Sequence, residues 1–253
     1  MCFDLDSRPP IEPIAGGSLD HEDLVLAAAD GNRFAALRAR AANPSGAGIV
    51  VLPDVRGLHP YYEELTLRFA EAGIDAIAID YFGRTAGTAK RGSDFEYAPH
   101  VGQTRIEGLR ADVAAAAEAL RANGRVRALF TVGFCFGGRL AFLTPTFGLG
   151  LAGAIGFYGW PIGSRPTSPA PADLAAGMTA PILGIFGGSD DGIGPNERAA
   201  FETALTAAGV SHELVVYPDA PHSFFDRKAA DFAEASADAW RRTLDFIRAN
   251  SPA

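Results

Sequence analysis

Cys135 stands in the run Gly133-Phe134-Cys135-Phe136-Gly137-Gly138, with a glycine two residues to either side of it. A nucleophile carried on a sharp strand-to-helix turn needs that spacing, because side chains at the flanking positions would clash with the turned backbone. Such a turn lifts the side chain above a sheet at the start of a helix. The helix N-terminus then favours a thiolate over a thiol, and the N–H of Phe136 points toward an oxyanion forming on an attacked carbonyl. The competing reading is a buried structural thiol among glycines required for close packing.

Two further stretches supply the partners such a thiol would need. Gly187-Gly188-Ser189-Asp190-Asp191 ends an apolar run, and a carboxylate there could orient a histidine. Asp190 lies nearer the end of the run than Asp191 and is preferred on that ground; an Asx-turn or helix cap is the plain alternative. His222, in Ala220-Pro221-His222-Ser223-Phe224, follows the last apolar run. Alone it would read as a surface-loop histidine. Together the three follow the chain order nucleophile, acid, base found in α/β-hydrolase triads, each after a different expected strand. His21, His59, His100 and His212 fit no equivalent pattern.

The elements that must position these residues alternate. A hairpin turning at Asp30-Gly31-Asn32 spans 22–40, and strands are expected over 46–54, 74–81, 126–134, 150–159, 181–188 and 212–219. Helices are expected over 60–72, from Gln103 to Gly124, near 137–147, from Pro195 to about 208, and from about 229 to 249. The pattern predicts an α/β fold: about eight strands in a mostly parallel twisted sheet with helices on both faces, and a ligand site at the carboxyl ends of the strands. Residues 1–20 read as an irregular lead-in and 21–250 as one domain. The only linker-like stretch is 161–174.

Composition narrows the function. The 253 residues are 48% hydrophobic and 21% charged, enough apolar surface for a large core. Thirty acids against 22 bases give a net charge of −8, which opposes binding to a phosphate backbone. The first ten residues, MCFDLDSRPP, are acidic where a signal peptide would be basic, and no apolar run reaches membrane-spanning length. The expectation is a soluble cytoplasmic protein with no membrane or nucleic-acid partner; oligomeric state is not readable. Cys2 and Cys135 cannot form a disulfide framework, and Cys2, in the lead-in, is expected to be dispensable. No HExxH, CxxC, clustered metal ligands or glycine-rich phosphate loop is present, so no cofactor is expected.

The motifs resemble those of the dienelactone hydrolases of the α/β-hydrolase fold, over roughly residues 30–248. The carriers are PDVRG (53–57), AIDYFGR (78–84), GFCFGG (133–138), GFYG (156–159), GGSDDGI (187–193) and PHSF (221–224). The resemblance implies Cys135 as nucleophile, His222 as base, Asp190 as acid, and the N–H of Val55 as a second oxyanion donor beside that of Phe136. In the family an acid just before that donor modulates the nucleophile; Asp54 stands there, one methylene shorter than the usual Glu. Members specific for dienelactones hold the substrate carboxylate with two arginines. Where one of these would fall, a few residues past the histidine, this chain has Asp226, with Arg227 next. Arg84, Arg91 and Arg105 flank the region that would supply the other.

The chemistry expected from this set is hydrolysis of an ester or lactone through an acyl-thioester. Thiolates expel strongly basic alkoxides poorly, so enol esters, enol lactones, aryl esters and thioesters are the expected substrates. Phe82, Phe95, Tyr97, Phe136, Tyr158, Trp160, Phe224 and Phe225 suggest an aromatic-lined pocket, with Arg84, Tyr158 and Phe224 as the expected substrate contacts. With Asp226 near the site, a neutral ester or lactone is favoured over a dianionic dienelactone. The alternative is a non-catalytic binder of a small molecule or partner on the same fold, in which Cys135 would label slowly and without a perturbed pH dependence. A redox thiol would need a resolving cysteine, and Cys2 is poorly placed for it.

Overall fold

The computed structural model describes residues 3–163 and 169–252. Cys2 and the middle of the linker-like stretch, 164–168, lie outside the described residues. The strands are β1 (Ser18–Ala27), β2 (Arg33–Ala41), β3 (Ala47–Leu52), β4 (Asp75–Ile79), β5 (Ala128–Phe134), β6 (Gly153–Phe157), β7 (Ile182–Gly187) and β8 (His212–Tyr217). They form one eight-stranded sheet in the order β1-β2-β4-β3-β5-β6-β7-β8. β1, β2 and β4 pair antiparallel; every other pairing is parallel. The turn of the first hairpin falls on Asp30–Asn32, where Gly31 takes a φ of 85°.

Among the described residues the α-helices are α1 (Pro60–Glu71), α2 (Gly83–Ala86), α3 (Tyr97–Val101), α4 (Ile106–Arg121), α5 (Phe136–Leu143) and α6 (Pro195–Ala207) between strands, and α7 (Ala233–Ala249) after the last. Alternation along β3 and β4 builds two cores. Ile49, Val51, Ala76 and Ala78 meet Tyr61, Leu65 and Phe69 of α1 on one face. Val50, Leu52, Ile77 and Ile79 meet Leu109 and Val113 of α4 and Leu140 of α5 on the other. Strands buried on both faces read as unbroken apolar runs for this reason. Each such large aliphatic side chain contributes about 2 kcal/mol of hydrophobic stabilisation.

Two expectations shift. The helix expected to 147 ends as an α-helix at Leu143, and Thr144–Thr146 form a 3-10 turn, since Pro145 has no N–H to continue the ladder. The last helix begins at Ala233; 221–232 run as successive turns beyond β8. The lead-in is tied to the body: Arg56 donates to Asp4 O at 3.0 Å and Ser7 Oγ at 3.2 Å, and Ile14 N to Glu71 at 2.9 Å. Among the described residues no helix is long and apolar enough to cross a membrane.

Candidate active site

The strand order reverses direction about β3, which lies between β4 and β5, and in open α/β sheets ligands bind outside the carboxyl ends of the strands at such a switch point. Leu52 at the end of β3 pairs with Gly133 near the end of β5. Val55 and Phe136 each lie three residues beyond that pair, so both backbones turn off the sheet side by side. Cys135 sits between β5 and α5 with φ 53° and ψ −112°, a left-handed conformation that a residue other than glycine adopts at a cost. Its N–H donates to Phe157 O at 3.0 Å, which pins the turn to β6.

The flanking glycines are demanded by close approach. A Cβ on Gly133 would lie 2.0 Å from Gly137 O, and one on Gly137 would lie 2.2 Å from both Leu52 O and Pro53 O. The glycines therefore bring α5 down onto the end of β3. Tyr81 braces the same corner, its hydroxyl 2.5 Å from Pro53 O and 2.8 Å from Asp54 O.

The other side of the site is built the same way. Cβ atoms on Gly187 and Gly188 would lie 2.3 Å from Ala220 O and 2.2 Å from Pro218 O. The loop after β8 thus lies across the end of β7, held by Ser189 N to Ala220 O at 3.0 Å. His222 and Asp190 meet there, Nδ1 to Oδ2 at 2.6 Å. An ionised carboxylate only accepts, so Nδ1 donates and Nε2 carries the basic lone pair. Gly192 N donates to the other oxygen, Oδ1, at 2.9 Å, and the acid is 6% exposed. Of the two adjacent acids it is Asp190 that faces the histidine; Asp191 is exposed. The imidazole lies between Tyr158 and Trp160, with ring centroids 5.0 and 4.8 Å away.

Asp54 is buried, and both its carboxylate oxygens accept from Arg56 Nε at 3.1 Å. Arg56 bridges on to Asp226, giving a buried acid–base–acid chain beside the Val55 turn. Phe3, Tyr61 and Tyr62 surround its guanidinium, with centroids 4.7, 5.0 and 5.4 Å away. Burial pushes the Asp226 carboxyl up to about 6, against the pull of Arg56. Such an acid holds its proton more readily folded than unfolded. Its contribution is fully present below about pH 4 and declines as the pH rises through about 6. Asp226→Asn removes that dependence. Its melting temperature relative to the parent is expected to rise between pH 4 and 7, by an amount equivalent to on the order of 2 kcal/mol. A difference that stays flat across that range would contradict the assignment.

The three expected substrate contacts lie in different settings. Tyr158 is buried against the histidine, with φ 39°. Phe224 is fully buried, packed on Tyr158 and Tyr217 at 5.9 and 5.2 Å. Ser223, with φ 62°, turns the chain so that Phe224 enters the core behind His222. Arg84 binds Asp112 at 2.9 Å and Asp30 at 2.6 Å, tying the first hairpin to α4 rather than facing the site. Arg91 is likewise bound to Asp80 at 2.6 Å. A cavity of about 410 Å³ opens beside Arg56, lined by Phe3, Asp4, Asp6, Phe95 and Tyr97. A larger one, about 630 Å³, lies under the β8–α7 connection, and neither cavity is lined by Cys135, Asp190 or His222. Sequence reasoning missed Arg56 and Tyr81. The Asp-x-Arg spacing of PDVRG was the available signal for Arg56.

Comparison with known proteins follows the same lines. The model of the dienelactone hydrolase family matches residues 34–251. An Escherichia coli K12 protein named "Putative carboxymethylenebutenolidase" is 30% identical over 95% of this chain and 93% of its own length. A Bradyrhizobium protein named "Probable 2-oxo-3-(5-oxofuran-2-ylidene)propanoate lactonase" is 31% identical over 79% of this chain and 82% of its own. The crystal structure of a "Putative Dienelactone Hydrolase" from Klebsiella pneumoniae superposes with a TM-score of 0.78 at 28% identity, covering 91% of this chain and 99% of that one.

Proposed function

The chain belongs to the dienelactone hydrolase family, and from that premise we propose that it hydrolyses uncharged esters or lactones through a Cys135–His222–Asp190 triad. The observation that carries the reading is the 2.6 Å His222–Asp190 contact, built at the carboxyl ends of β7 and β8, the same edge of the parallel sheet on which β5 delivers the strained Cys135 turn. His222 Nε2 takes the proton of the Cys135 thiol, and the thiolate attacks the substrate carbonyl. The N–H groups of Val55 and Phe136 hold the oxyanion. Collapse of the tetrahedral intermediate expels the alkoxide or enolate, which takes the proton from the imidazolium, and leaves an acyl-thioester on Cys135. Water, losing a proton to His222, then attacks the thioester; the acid leaves and the thiol recovers its proton. Asp190 holds the imidazole tautomer and stabilises its cation. Asp54, through Arg56, braces the turn that carries Val55.

Charge supports the choice of an uncharged acyl group. Arg56 is shared by two buried acids, and Arg84 and Arg91 are bound to acids of their own. Arg139 donates to backbone carbonyls of Trp160, Ile162, Gly163 and Pro169. The cavity beside Arg56 carries Asp4 and Asp6. A carboxylate in that cavity would face two acids and an arginine already paired with acids.

The test is a matched pair of aryl esters with the same leaving group, one with a neutral acyl chain and one ending in a carboxylate. The neutral ester is expected to have the higher kcat/KM by about tenfold or more, roughly 1.4 kcal/mol of discrimination. Faster turnover of the carboxylate ester would overturn the substrate class. No turnover of either ester, nor of an enol lactone, would overturn the hydrolase reading.

A further inference from the structure

Arg139 is fully buried in α5, one turn after Cys135, and its guanidinium does not serve the sheet. It donates to the carbonyls of Trp160 at 2.8 Å, Ile162 at 3.2 Å, Gly163 at 2.8 Å and Pro169 at 2.9 Å. A buried guanidinium is costly unless its donors are satisfied, and here they are spent on the segment that follows β6. The first residue gripped is Trp160. Its indole lies 4.8 Å from the His222 ring at an interplanar angle of 38°. Its Nε1 donates to Gly192 O at 3.0 Å, while Gly192 N donates to Asp190 Oδ1 at 2.9 Å. One side chain thus touches both the imidazole and the loop that holds its carboxylate partner.

Space around the indole is tight in the same direction. A Cβ on Gly192 would lie 3.0 Å from Trp160 Cζ2 and 3.1 Å from Nε1. Gly159, just before Trp160, could not carry a side chain either, since its Cβ would lie 2.4 Å from Arg139 N. The contact is therefore reached through two glycines and a buried arginine, a set with no evident use in a merely solvent-facing tryptophan.

We infer that Trp160, held by Arg139, is a positioning residue that fixes the His222 imidazole against Asp190 for proton transfer. The inference rests on the reading of His222 as the base. A flat aromatic face restrains the ring plane without competing for either nitrogen, and it favours the imidazolium that forms during the reaction. Loss of that restraint lets the ring leave its productive orientation, which costs turnover while leaving substrate binding in place.

The experiment compares Trp160→Phe, Trp160→Leu and His222→Ala with the parent on one neutral aryl ester. Leucine keeps apolar bulk but offers no ring face; phenylalanine keeps a ring face while losing the Nε1 bond and part of the indole's bulk. Trp160→Leu is expected to lose about ten- to a hundredfold in kcat with KM within about twofold, and Trp160→Phe to recover to within about threefold of the parent. Equal kcat in the phenylalanine and leucine variants, whether high or low, would overturn the inference. Should Trp160→Leu fail to fold, Gly192→Ala presses on the same indole, which must give by a few tenths of an ångström; a kcat loss of about tenfold is expected, and a parental kcat would overturn the inference. His222→Ala separates the two claims: undiminished turnover there would overturn the base assignment itself.

Discussion

Cys135→Ala is expected to lower kcat on an aryl ester by about a thousandfold or more while leaving the fold intact. Alanine removes only the sulfur from a 3%-exposed position and keeps the Cβ that the turn already tolerates. Circular dichroism and melting temperature should therefore stay close to the parent, and the loss should fall on chemistry. Cys135→Ser keeps a weaker nucleophilic atom within the same turn and is expected to fall between the two. A non-catalytic binder would show no turnover in the parent either. Undiminished hydrolysis by a folded Cys135→Ala would remove the thiol from the mechanism.

Gly137→Ala is expected to have a large effect on stability. Its Cβ would come within 2.2 Å of two backbone carbonyl oxygens, Leu52 O and Pro53 O, at the end of a central strand. Neither atom can rotate away. Relief requires α5 to lift from β3, opening a core that contains Leu52, Leu140 and Val113. Overpacking of this kind costs several kcal/mol, about 3 or more here, equivalent to roughly 10 °C in melting temperature. Gly124→Ala is the control: its φ of 70° carries strain, but nothing lies within 4 Å of the added atom. It should cost about 1–2 kcal/mol. Equal effects at the two sites would mean that the elbow is not held by contact with β3.

How much of this could be read in the sequence differs from residue to residue. β5 and its turn were legible because a strand buried on both faces is an unbroken apolar run, and because Gly133 and Gly137 mark contacts that admit no Cβ. The first hairpin was legible because Asp30-Gly31-Asn32 supplies the positive φ that the turn needs. The Asp190–His222 pair followed from chain order and strand ends, which place residues without specifying contacts. Side-chain direction was the limit. Arg84 has a plausible sequence position yet points to Asp30 and Asp112. Phe224 turns inward because Ser223 takes a left-handed φ that no propensity signals. The Asp54–Arg56–Asp226 chain joins residues far apart in the sequence, and only tertiary packing brings Asp226 to Arg56.

The central claim is that an acyl group passes through Cys135, and the direct measurement is mass spectrometry of protein quenched in acid during turnover of an aryl ester. Trypsin releases Cys135 in the peptide Ala128–Arg139, which holds no other cysteine. The account predicts that this peptide gains the mass of the acyl group, that neutral hydroxylamine removes it, and that Cys135→Ala never acquires it. An acyl group found on another residue, with hydrolysis persisting in Cys135→Ala, would contradict it.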